Sequence, residues 1–448
     1  MIRALALSSL LCGCRLAVGS FDECTSNVDC ASRGADLECV ERLCVSLPAL
    51  DDRCSRIGDT SPNALVLGSV LPLTRTDGTQ NLTGVARLQA LELAIEQMNP
   101  PQRQGVRGRP IGLLSCDSTS RTEAVTALSQ HLTRRGVLAL LSSTSGETIA
   151  ASRVTVPAST VLMSVSATAA EISDLADGAP EAGPQEPGLV WRTAAPDSLQ
   201  ARVLSRFLSD AGTPMTAVVH VNDTYGQGLA VAFGREYAPT KQRAFPYTQG
   251  GPIDAALDSA AQVSPGALLL VAFPDDAVRL ARAAQTRPAL LGTRLVFTDA
   301  ARSPVVLIAE TEGAFGTSGA PAEASSEALQ YFTTQYRQRF GIDPLTVSAT
   351  PNAFDAMMTL MLALHVSNGE GGLPLARALT KLSSGAKVPL VPTSFTTLVR
   401  ELDQRGSVDL DGASGPLNFD AVTGEAPAPI ELWRVQSQQF QRVVVVVP

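Results

Sequence analysis

Residues 137–175 read VLALLSSTSGETIAASRVTVPASTVLMSVSATAAEISDL, and the breaks in this stretch decide the fold. A leucine-rich run, VLALLSS, stops at Ser145-Gly146. Roughly four turns of helix-forming sequence follow. A second apolar run, VLMSVS, stops at Ser166-Ala167-Thr168 before another helical stretch. Strand, helix, strand, helix predicts a parallel βαβ crossover, in which both strands end on one edge of the sheet. Ser145, Ser166 and Thr168 would then meet beside two helix N-termini. Free N–H groups and partial positive charge there suit a small anion such as a carboxylate. The same residues also fit helix caps, since Thr168 and Glu171 have capping-box spacing.

The alternation extends outward in both directions. Towards the N-terminus, LVLGSVLPL and PIGLLSCD read as strands. GVARLQALELAIEQM puts Leu88, Leu91, Ile95 and Met98 on one helical face, and RTEAVTALSQHL does the same for Val125, Leu128 and Leu132. This predicts an α/β domain with a parallel sheet covered on both faces, binding ligands beyond the carboxyl ends of its strands. Past the Gly/Pro-rich ADGAPEAGPQEPG, the chain crosses near Ala194 and the pattern restarts with AVVHV, RAFPY, ALLLVAF and RLVFTD. Two similar lobes enclosing a cleft are expected, with Asp197 and Gln200 capping the first helix of the second. NAFDAMMTLMLAL is apolar nearly all round, which makes Met357, Met358 and Met361 core and not a metal site. Gly226-x-Gly228 has Val231 where a third glycine belongs, so no dinucleotide site is assigned.

The 448 residues, 45% hydrophobic, can bury a large core, and a net charge of −8 argues against a nucleic-acid partner, which wants a basic patch or stripe. His131, His220 and His365 stand alone, without an HExxH, Gly-x-Ser-x-Gly or phosphate-loop motif, so neither an enzyme nor a cofactor is expected. Residues 1–14 combine Arg3 with a short apolar run, as in an export signal. Leu11-Cys12-Gly13-Cys14 resembles a bacterial lipobox, which implies lipidation of Cys14 and a membrane tether; an ordinary cleaved signal is the other reading. Arg15 stands where an inner-membrane retention Asp would, which points to the outer membrane. Cys24, Cys30, Cys39 and Cys44 crowd a polar segment too small for a core, predicting two bridges among themselves. Without CxxC spacing or a nearby histidine, zinc is not expected there.

LLSSTSGETIAAS followed by VLMSVSATAAEI resembles type I periplasmic solute-binding proteins of the leucine/isoleucine/valine-binding family. The resemblance implies that Ser145, Ser166 and Thr168 contact an amino-acid ligand. Further likenesses are LPLT at 71–74, with Arg75 replacing the family's glycine; Trp191-Arg192-Thr193; and the late Gly412-x-x-Gly415-x-x-x-Phe419-Asp420. The family's Gly-Pro stands here as Leu141-Ser142, and its proline as Val165. By the same matching, Tyr225 contacts the ligand, Phe273 packs on it, and Asp299 pairs with its ammonium. Packing at a helix start would equally account for Tyr225, and capping for Asp299. A family half-cystine stands at Cys116; its usual partner position is Thr144, so the resemblance implies Cys54 as partner. The implied organisation is a signal at 1–14, a cysteine-rich segment at 15–62, a first lobe at 63–193 and 317–429, and a second at 194–316 and 430–448. The implied function is delivery of a small amphoteric ligand to an ABC permease, or sensing of it through the same cleft.

Overall fold

The computed structural model describes residues 22–25, 29–30, 37–47, 49–101, 103–183 and 185–447; the export signal, Cys12 and Cys14 lie outside them. The chain divides into Met1–Ala49 and Leu50–Pro448. In the first unit, β1 (Leu37–Val40) and β2 (Leu43–Ser46) form an antiparallel hairpin. Glu41 and Arg42 take φ of 48° and 67° at its turn, the left-handed pair that matches the strands' twist. Disulfides Cys24–Cys39 and Cys30–Cys44 close this unit. The sulfurs of Cys24, Cys30 and Cys44 lie together, but all three are disulfide-bonded and offer no thiolate to a metal.

The second unit begins with a six-stranded sheet in the order β3-β5-β4-β6-β7-β8. Its strands are β3 (Cys54–Gly58), β4 (Leu65–Leu71), β5 (Ile111–Asp117), β6 (Ala139–Ser142), β7 (Val161–Ser164) and β8 (Val190–Arg192). All pair in parallel except β3, an antiparallel edge whose Cys54 faces its disulfide partner Cys116. β3, although it lies within residues 15–62, completes the first lobe's sheet. Helices α1 (Leu82–Met98), α2 (Thr122–Arg134) and α3 (Ser145–Thr155) make the crossovers. Leu91, Ile95 and Met98 on α1, and Val125, Leu128 and Leu132 on α2, are buried. The helix expected after Thr168 is a single 3-10 turn at Ala170–Ile172. Its approach is already committed elsewhere, because the N–H groups of Thr168 and Ala169 donate to Ser145 Oγ, and Thr168 O accepts from Asp197 N.

The second sheet runs β10-β9-β11-β12-β13-β17-β18. It comprises β9 (Thr216–Val221), β10 (Gln242–Tyr247), β11 (Ala267–Val271), β12 (Arg294–Phe297), β13 (Phe315–Gly319), β17 (Ile430–Gln436) and β18 (Gln439–Val446). Helices α4 (Asp197–Asp210), α5 (Thr224–Glu236), α6 (Asp254–Gln262) and α7 (Pro274–Gln285) cover it. Between β13 and β17 the chain returns to the first lobe with α8 (Glu327–Phe340), α9 (Thr350–Val366), α10 (Gly372–Leu379), α11 (Phe395–Arg405) and a small sheet of β14 (Lys387–Pro389), β15 (Asp409–Gly412) and β16 (Gly415–Pro416). Met357, Met358 and Met361 sit in that lobe's core. The lobes are thus joined by three connections, at 193–196, 320–326 and 417–429. Two are tied together where Ala320 N donates to Pro429 O at 2.7 Å. Ala195, Leu199, Val203, Ala428 and Ile430 bury one another at this hinge.

Candidate ligand cleft

Apart from the antiparallel β3 of the first lobe and β17 and β18, which pair antiparallel at one end of the second sheet, the strands of each lobe run parallel, and their carboxyl ends face one opening, a cleft of about 1160 Å³ lined by both lobes. Ser145, Ser166, Tyr225, Phe273 and Asp299 line it. Thr168 does not; it lines a small pocket of about 50 Å³ beneath, at the hinge, together with Gln200 and Arg302.

On the first lobe's wall, α3 is capped by Thr144 and not by Ser145. Thr144 Oγ1 accepts from Glu147 N, and Glu147 accepts from Thr144 N at 3.1 Å, a complete capping box. Ser145, the first helical residue, uses its hydroxyl oxygen to accept the N–H groups of Thr168 and Ala169 at 3.3 and 3.2 Å. It thereby clamps the two strand-end turns together. Ser166 Oγ donates to Ser143 O at 2.9 Å and lies 3.3 Å from Ser143 Oγ. Ser143 Oγ in turn accepts from Arg87 Nη1 at 2.8 Å. Arg87 is buried on α1, and desolvation draws its pKa down to about 10.

On the opposite wall, Asp223 caps α5, accepting from Gly226 N at 2.8 Å, and so starts the helix that carries Tyr225. Gly226 is required by packing, since a Cβ there would lie 2.0 Å from Val221 O; this accounts for the glycine without any nucleotide. Tyr225 Oη donates to Asp299 Oδ1 at 2.8 Å, and its ring packs on Phe273 with centroids 5.7 Å apart. Gln200 Nε2 donates to the same Oδ1 at 2.9 Å, while Gln200 Oε1 accepts from Asp299 N and Thr317 Oγ1. Asp299 does not act as a side-chain cap, and neither does Asp197, where α4 starts after Pro196. Burial raises the Asp299 pKa. Burial first, then the charge of Asp299, pushes Asp197 up to about 8. At the mouth, Arg75 of the first lobe pairs through both Nε and Nη2 with the carboxylate of Asp275 in the second, Nη2 to Oδ1 being 3.1 Å.

Arg87, Ser143 and Gln200 were missed by motif reading. A signal existed for Arg87, which precedes Leu91 by four residues and so lies on the buried face of its helix.

Two α/β lobes, three connections and a cleft furnished from both sides define a bilobal binding protein. The chain belongs to the periplasmic binding protein family, whose model matches residues 66–439. Among curated proteins none matches the sequence. Among solved structures, the leucine-binding protein LivK of Thermotoga maritima superposes with a TM-score of 0.70 at 18% identity, covering 86% of this chain and 99% of its own. The branched-chain amino acid transporter substrate-binding protein LivJ of Streptococcus pneumoniae, in complex with isoleucine, gives 0.69 at 18%, covering 86% and 100%. An ABC-transporter solute-binding protein of R. palustris, in complex with benzoate, gives 0.68 at 16%, covering 86% and 97%. The family is one of extracytoplasmic solute-binding proteins and not of enzymes.

Proposed function

We propose that this chain is an exported receptor, tethered through Cys14, that closes on a small amphoteric solute, an amino acid or a relative, and presents it to an ABC permease. The observation that carries the reading is the opposition of two polar walls across one cleft. The N-terminus of α3 offers donors from the first lobe, and Asp299 offers acceptor oxygen from the second. A ligand touching both walls binds the closed arrangement better than the open one, which is what drives closure. The ligands of the solved relatives named above, leucine, isoleucine and benzoate, share a carboxylate.

Thermal unfolding of the exported chain against a panel of amino acids and aromatic acids tests this. A ligand at 100 times its Kd adds about 2.7 kcal/mol to stability, a readable rise in Tm. Asp299→Ala should abolish the rise for an amino acid. A panel without any effect would remove the amphoteric-solute reading.

A further inference from the structure

Arg87 has no role in the ligand set read from motifs, yet it lines the cleft while only 5% exposed. Its Nε donates to Ser348 O at 3.1 Å and its Nη1 to Ser143 Oγ at 2.8 Å. A guanidinium has five N–H donors, so these two bonds leave three, including both on Nη2, without a hydrogen-bond partner among the described residues. No carboxylate forms an ion pair with it among the described residues; Asp299 and Glu147 act on it only from longer range. The other cleft arginines differ. Arg75 is paired with Asp275, Arg279 with Asp276, and Arg153 is exposed to water. A buried guanidinium without a counter-ion is costly, and an anion entering the cleft relieves that cost.

We propose that Arg87 receives the ligand's carboxylate, so that the cleft selects small organic acids and rejects their amides. The inference rests on the solute-binding reading and adds to it the group that recognises the acid. Ser143 bridges Arg87 and Ser166, which sets the guanidinium beside the hydroxyl and the α3 N-terminus on one wall. An Arg fork and neighbouring single donors together match the two oxygens of a carboxylate. Two sources share this chemistry: an α-amino acid, whose ammonium would also need Asp299, and a simple carboxylic acid, which would not.

The experiment is calorimetric titration of the exported chain with matched probes, L-leucine against L-leucinamide and benzoate against benzamide, repeated on Arg87→Gln, Arg87→Lys and Asp299→Asn. The expected result is that an acid binds and its amide is weaker by about tenfold to about 150-fold, the range for one hydrogen bond to a charged group. Arg87→Gln should weaken the acid by a similar factor, and Arg87→Lys by less, because charge survives without the fork. Loss of binding in Asp299→Asn identifies the amino-acid source, and retention identifies the simple acid. An acid that binds wild type and Arg87→Gln equally overturns the inference while leaving the solute-binding reading intact. Should Arg87→Gln not fold, equal affinity of acid and amide for the wild type overturns it instead. If no probe binds, the reading and the inference fall together.

Discussion

Asp197 and Asp299 place two carboxyl groups in a buried site that also contains Gln200, Tyr225 and Thr168. Burial favours the neutral acid, and the neighbouring Asp299 charge adds to it, so Asp197 titrates near 8 and not in the ordinary carboxylate range. The folded state therefore holds a proton that the unfolded chain releases above about pH 4. Its contribution to stability is complete below that pH and is lost as the pH rises towards 8. Asp197→Asn, which cannot ionise, should match wild type near pH 4 and become increasingly more stable than it towards pH 8. Asp355, raised by burial to about 6, is common to both proteins and cancels in the difference. Urea unfolding at pH 4, 6 and 8 measures this; a gap independent of pH would mean that Asp197 is already ionised in the fold. At this scale legibility was uneven. Ser166, Tyr225, Phe273 and Asp299 stand in local motifs at strand ends, where position along the chain implies position in the cleft. Gln200 is brought to Asp299 by the packing of α4 within the second lobe, a contact spanning about a hundred residues that no local pattern encodes.

The helix α3 shows how a single element serves both fold and site. Its capping box spans Thr144 and Glu147, and Glu147 is buried with its pKa raised by desolvation. Thr144→Ala removes the hydroxyl that accepts Glu147 N and donates to Glu147 Oε2. A lost N-cap costs about 0.5–2 kcal/mol, and Thr144→Ser should restore most of it. Denaturant midpoints of the three proteins check this; a Ser variant no better than Ala would mean that the methyl packing of Thr144 matters more than its hydroxyl. Strands and long helices were legible because their apolar periods are those of parallel sheets and amphipathic helices. The 3-10 turn after Thr168 was not, because AAEISDL has the composition of a helix start while its preceding N–H groups are held by Ser145. In the same way, β3 reads as part of the cysteine-rich segment until Cys116 on the distant β5 draws it into the sheet.

In the whole molecule, the two lobes were legible from the restart of the strand-helix alternation after Ala194, whereas the contact that holds their rims together was not. Arg75 occupies the position where the family resemblance calls for glycine, and in the fold it spans the cleft mouth to reach Asp275 at the start of α7. The pair exists only when the rims are near, so it favours the closed arrangement by whatever it contributes. Asp275 is more than half exposed, which limits the pair to about 0.2–1 kcal/mol. An equilibrium shifted by that amount changes apparent ligand affinity by about 1.4-fold to about 5-fold. Asp275→Ala should therefore weaken binding within that range at low salt and by less at 1 M salt, where the Debye length falls to about 3 Å. Arg75→Ala should do the same. The double variant should be no weaker than either single one, since both remove the same contact. Small-angle scattering without ligand should show a larger radius of gyration for the variants. Fully additive losses in the double variant would show that Arg75 and Asp275 act on the ligand separately, and the rim pair would then play no part in closure.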